Sequence, residues 1–281
     1  MGAMLTLMAV AVLTLNAVPA DPPPPPARSD APAIVPLLLS GDRHCLPDAS
    51  LCFGVVADAK AEADGAPGRY RLQLTDPASA TEPGEYLPLS YTDEGRGSVD
   101  LWPFAIQLPS VQAGGAGQSD WLVGIVQETR TMYSGGGGQA ARLHLHRLGI
   151  AAHGVRLGDA MLSLPWRASL SIRACFSEAD NERRLGVCHD EYNFGANLTL
   201  AASDGWSGEF PPLHYQTQTT AYPQTARRGE DSSAAAPLTA ADLSLWRDPE
   251  CSYTRTLRFN PASERYEMDR TAPDCSAYTV P

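Results

Sequence analysis

The chain has 281 residues, 21 basic against 32 acidic side chains, and a formal charge of −11. Lys60 is its only lysine and no basic run exists, so phosphate backbones would be repelled and nucleic acid is not an expected partner. The same acidity argues against adhesion to anionic membrane surfaces.

Residues 1–20, "MGAMLTLMAVAVLTLNAVPA", carry no charged side chain and hold an apolar run from Met4 to Leu15. Val18 and Ala20 are the small residues that a signal peptidase requires before a cut at Asp21, although no basic residue precedes the apolar run. The run is shorter than the roughly 20 apolar residues that span a bilayer, so the mature chain is expected to have no transmembrane segment. Residues 21–34 are proline-rich and read as an extended, semi-rigid linker. Residues 35–281 then form one domain, large enough to bury a substantial core.

All six cysteines follow the leader: Cys45, Cys52, Cys175, Cys188, Cys251 and Cys275. An even count behind an export signal reads as three disulfides, and pairing of sequence neighbours is favoured because each bridge closes a short excursion. Each is expected to stabilise by about 2–4 kcal/mol. None of the spacings matches a C-x2-C zinc knuckle. The expected destination is the periplasm or the extracellular medium.

Strand signals dominate the domain. In 68–76, "GRYRLQLTD", Tyr70, Leu72 and Leu74 alternate with Arg69, Arg71 and Gln73. Further strands are predicted at 101–108, 121–133, 141–148, 161–164, 168–175, 194–201 and 253–259. A short helix is predicted over 238–247 with Thr239 as its cap. The fold class is therefore mainly β, a single antiparallel domain with very little helix, either β-propeller-like or a two-sheet sandwich. Segments 72–89 and 257–268 echo each other: a strand, then Asp or Asn followed by Pro-Ala-Ser, then a return strand carrying Tyr.

The most suggestive stretch is "TMYSGGGGQAARLHLHRLG", residues 131–149. The glycines lack the Lys-Ser/Thr and following helix of a phosphate loop, so a hairpin loop from Ser134 to Ala140 is expected. His144 and His146 then share one strand face. A catalytic zinc would need a third ligand, and Glu128, His153 and Asp120 are the nearby candidates. That loop length would place Glu128 opposite His146 and Arg130 opposite His144. The favoured expectation instead puts Arg142, His144 and His146 on a solvent face with Leu143 and Leu145 in the core.

The segment 175–194 is rich in carboxylates, which makes calcium the second metal to consider. It lacks the spacing of a calcium hand and carries Arg183 and Arg184, so a solvated loop tip held by a disulfide is expected. No G-x-S-x-G elbow is present; Ser207 lacks the flanking pattern. Trp206, in a glycine- and serine-rich loop, is a candidate stacking surface for a sugar or peptide. Asn197-Leu-Thr199 matches a glycosylation acceptor. The leading expectation is an exported, non-catalytic binding protein acting on a protein or glycan at the cell envelope, with no cofactor. A secreted zinc-dependent hydrolase and a structural envelope protein are the alternatives.

Overall fold

The computed structural model describes residues 31–41, 43–48, 50–57, 69–75, 85–92, 97–109, 119–151, 154–202 and 208–281. The apolar leader, the linker as far as Asp30, His153, Trp206 and Ser207 lie outside these residues. Strand β1 (Ala33–Pro36) belongs to a long sheet. A separate five-stranded meander follows: β2 (Leu38–Ser40), β3 (Arg43–Cys45), β4 (Cys52–Ala57), β5 (Arg69–Thr75) and β6 (Glu85–Thr92). The chain then returns to the long sheet through β7 (Gly97–Gln107), β8 (Ser119–Tyr133), β9 (Gly136–Ala151), β10 (Gly154–Arg173), β11 (His189–Leu200) and β12 (Leu213–Tyr222). Next come β13 (Trp246–Arg247), which pairs with β12, and the hairpin β14 (Thr254–Asn260) and β15 (Arg265–Met268). All pairings are antiparallel, and two sheets rather than propeller blades carry the fold.

Two apolar cores follow from this layout. One, the inner core, packs against the long sheet and gathers Leu122, Val126, Leu143, Leu145, Leu170 and Tyr215. The other lies between the two sheets, where Leu72 and Leu74 of β5 meet Val123, Ile125 and Leu148. Strands β8 and β9 are therefore buried on both faces over their middle. The predicted alternation in β5 holds, with Leu72 and Leu74 buried.

The three disulfides join Cys45 to Cys52, Cys175 to Cys188 and Cys251 to Cys275, as sequence proximity suggests. The helix expected at 238–247 shrinks to one 3-10 turn, Ala240–Asp242, in which the Thr239 N–H and hydroxyl both donate to Asp242. The two short strands expected at 161–164 and 168–175 are one 20-residue strand, β10. Pro165 sits inside it because the register slips between Pro165 and Arg167, which removes the need for a ladder N–H.

The glycine run also differs from expectation. Ser134 and Gly135 alone form the turn, and Gly136, Gly137 and Gly138 belong to β9. Gly136 has φ +148°, and a Cβ there would lie 2.1 Å from the Ser171 carbonyl oxygen of β10. Gly195 of β11 is the contrasting case, with open space where its Cβ would go. Gly136→Ala is expected to destabilise the domain by roughly 2 kcal/mol or more, since both backbone strain and a forced strand separation oppose it. Gly195→Ala should change stability by less than about 0.5 kcal/mol. Denaturant unfolding of the two variants checks this; equal stabilities would contradict the described register.

Candidate functional site

The short turn fixes the β8–β9 register. Val123 faces His146, Ile125 faces His144 and Glu128 faces Ala141, five residues away from the partner expected for Glu128. An odd shift exchanges the two sheet faces. His144 and His146 therefore share the inter-sheet face with Val123 and Ile125, whereas Glu128 lies on the opposite face of the sheet. The structure does not bring Glu128 together with the two histidines. Nor do the histidines form a solvent face: they are 7% and 6% exposed beneath the small sheet, and only Arg142 of that row is open.

Tyr91 of β6 closes over the pair. Its ring lies 4.5 Å from the His144 ring, and its hydroxyl is 2.6 Å from His146 Nε2. His146 Nδ1 is 2.9 Å from the Gly158 carbonyl, which can only accept, so Nδ1 donates and Nε2 accepts from Tyr91. Both His146 nitrogens are thus engaged, while His144 Nε2 is buried without a hydrogen-bond partner among the described residues. Burial, then the Arg142 guanidinium and His146, push the His144 pKa down to about 4. Burial lowers that of His146 as well, against the Gly158 carbonyl and Asp159. Burial, with Asp159 nearby, raises that of the Tyr91 phenol. The cluster is a neutral polar bridge between two sheets.

Glu128, 4% exposed, is held by Arg130 at 2.6 Å and Arg167 at 3.2 Å, both largely in solvent. Asp120 pairs with Arg147, which also pairs with Glu209 and stacks over Phe210 at the wall of an open cleft of about 480 Å³. Among the described residues, no group of three His, Cys, Asp or Glu side chains is arranged to hold a metal.

The 175–194 segment is docked rather than a free tip. Helix α1 (Glu178–Arg183) starts at Ser177, where Asp180 accepts from the Phe176 and Ser177 N–H groups and the Ser177 hydroxyl. Arg183 donates to the Ser233 and Ala235 carbonyls. Arg184 and Asp190 form a buried pair, and Ser232 donates to the same Asp190 carboxylate. The cations thus hold the loop onto residues 232–235, and Asp180 and Asp190 already have donors.

The feature that sequence reading missed is the outer face of β9–β13. Strand β12, "LHYQTQTTAY", was not predicted, yet it alternates without a break: Leu213, Tyr215, Thr217, Thr219 and Ala221 are buried. The Thr217 and Thr219 hydroxyls both donate to the Cys251 carbonyl, at 2.7 and 2.9 Å, which satisfies them in the core. The other side chains of β12 point outward and join a cross-strand row. Arg130 pairs with Gln139, Gln139 with Ser169, Ser169 with Asn193, Asn193 with Thr220, and Thr220 with Arg247. At ordinary strand spacing the row spans roughly 24 Å. Its four central side chains make no side-chain hydrogen bond among the described residues. Beneath them lie Ala168, Leu170, Tyr192 and Phe194, all buried. The signal that could have revealed this face was period-two spacing of Tyr, Thr and Ala in a β-prone, Thr-rich stretch.

No helix among the described residues is long and apolar enough to cross a membrane. Comparison with protein-family models, with curated proteins and with solved structures finds no match.

The histidine cluster generates a pH dependence. His144 titrates near 4 when folded and near 6.5 when unfolded, so between those values the unfolded chain binds more protons. The stability contributed by neutral His144 is complete above about pH 6.5 and is lost as pH falls towards 4, a difference on the order of 2–3 kcal/mol. His144→Leu should remove this part of the slope. Thermal unfolding of both proteins at pH 7 and pH 4.5 tests it; parallel losses on acidification would show that His144 does not titrate in this way.

Proposed function

We propose that this is an exported, non-catalytic binding protein whose recognition surface is the outer face of β9–β13. The supporting observation is the row Arg130–Gln139–Ser169–Asn193–Thr220–Arg247. A run of amide and hydroxyl side chains, without side-chain hydrogen bonds among the described residues, offers both donors and acceptors to a ligand lying across the strands. Their backbone is already ordered by six paired strands over a packed core, so little conformational entropy opposes binding. The three disulfides support export, because such bonds persist in oxidising compartments. The ligand is extended rather than globular, since the row crosses six strands.

A double variant, Asn193→Arg with Gln218→Arg, introduces two bulky charges on this face without touching either core. In a screen of immobilised glycans and peptides, the wild type should retain a ligand that the variant binds at least about tenfold more weakly. The melting temperatures should agree within about 4 °C, the scale of a 1 kcal/mol change. Undiminished binding by the variant, or conversion of the ligand to products, would contradict the proposal.

A further inference from the structure

The same face carries a depression whose chemistry specifies the ligand more closely. Its base is Gly195, exposed on β11, where a Cβ would meet no atom within 4 Å. Asn197 of β11 and Gln216 and Gln218 of β12 stand around it, and Arg247 of β13 forms its lip. The hollow measures about 320 Å³, within the range of small-molecule sites. Gly195 makes the hollow by omission: it pairs with Arg167 on one side and Gln218 on the other, and any larger residue would level the surface.

Three primary amides around one shallow hollow give paired donors and acceptors, the pattern that vicinal hydroxyls of a saccharide match. None of Asn197, Gln216, Gln218 and Arg247 has a side-chain hydrogen bond or ion pair among the described residues. The charge around the hollow is one-sided. Arg247 is exposed, no carboxylate lines the cavity, and the neighbouring Asp248 is turned inward to the Glu250 and Cys251 N–H groups and the Tyr278 hydroxyl. Arg167 stands directly across from Gly195 but is ion-paired to the buried Glu128, so Arg247 is the cation that the hollow offers to a ligand. In a chain of charge −11 this is a local cationic site beside neutral hydrogen-bonding groups. A planar guanidinium takes a carboxylate through two parallel hydrogen bonds.

Resting on the assignment of this face as the binding surface, we infer that the ligand is a carboxylated polysaccharide. One uronic-acid-type ring sits over Gly195, its hydroxyls on Asn197, Gln216 and Gln218 and its carboxylate on Arg247. The flanking rings run along the cross-strand row. Ionic strength weakens the Arg247 contact and leaves the amide contacts largely unaffected.

The test is titration calorimetry of the full mature chain with hexamers of polygalacturonate and, separately, maltohexaose. The acidic hexamer should bind and the neutral one should bind at least about tenfold more weakly or not at all. Arg247→Gln should weaken the acidic hexamer by about tenfold and remove most of its salt dependence. Gly195→Leu, which fills open space at an ordinary backbone position, should abolish binding with the melting temperature unchanged. Equal affinity for both hexamers, unaffected by Arg247→Gln but lost in Gly195→Leu, would overturn the acidic ligand and leave the face standing. Binding that survives Gly195→Leu would overturn the face as well. No binding of the acidic hexamer by the wild type would overturn the ligand class, and the face would then be judged by the double arginine variant.

Discussion

The two-residue turn at Ser134 and Gly135 is the constraint on which the rest of the molecule depends. It sets β8 against β9 without any slip across fifteen paired residues, and so decides which side chains meet which core. Had the turn been odd by one residue, His144 and His146 would point into the inner core and Leu143 and Leu145 towards the small sheet. The glycines that follow let β10 approach closely on the other side, with the Ser171 carbonyl against Gly136. One short segment thus fixes three adjacent strands.

From that registration two halves of different character follow. Over β8 and β9 the small sheet packs on the long one, and the polar cluster Tyr91–His146–Gly158 crosses the boundary with its donors and acceptors matched. Among the described residues, the His144 Nε2 and Trp121 Nε1 atoms of this junction are buried without a hydrogen-bond partner, and the lowered pKa of His144 predicts sensitivity to acid. Towards β13 the face that carries Ser169, Asn193 and Thr220 has no second sheet over it among the described residues. Alternation there leaves amides, hydroxyls and arginines in solvent above a tightly filled interior. The Cys251–Cys275 loop reinforces that interior, because the Cys251 carbonyl accepts from both buried threonines of β12. A stiff polar surface is the outcome.

The sequence was most informative where apolar and polar residues alternate and where partners are close along the chain. The strands at 68–76 and 121–133, the three local disulfides and the mainly β class were legible for that reason. Loop length was not, because glycine suits a turn and a closely packed strand equally well, so residues 134–140 could not be divided between them. The burial of His144 and His146 was hidden as well. Alternating His and Leu resemble a half-exposed strand unless the covering sheet is known. Strand β12 is hard to read because two of its five core positions are threonines, polar groups that become buried only when a carbonyl elsewhere in the chain accepts their hydroxyls. Pro165 divided β10 on paper, and the local register slip that accommodates it is a tertiary feature.

The most direct test of the proposed binding face is solution NMR of the mature chain with polygalacturonate hexamer added stepwise, following the side-chain amide signals. Progressive shifts at Asn193, Asn197, Gln216 and Gln218, together with the Gly195 backbone amide, are the predicted result. Unmoved signals there, with shifts instead around Arg147 and Phe210 in the cleft at the other end of β9, would place recognition elsewhere on the molecule and contradict the account.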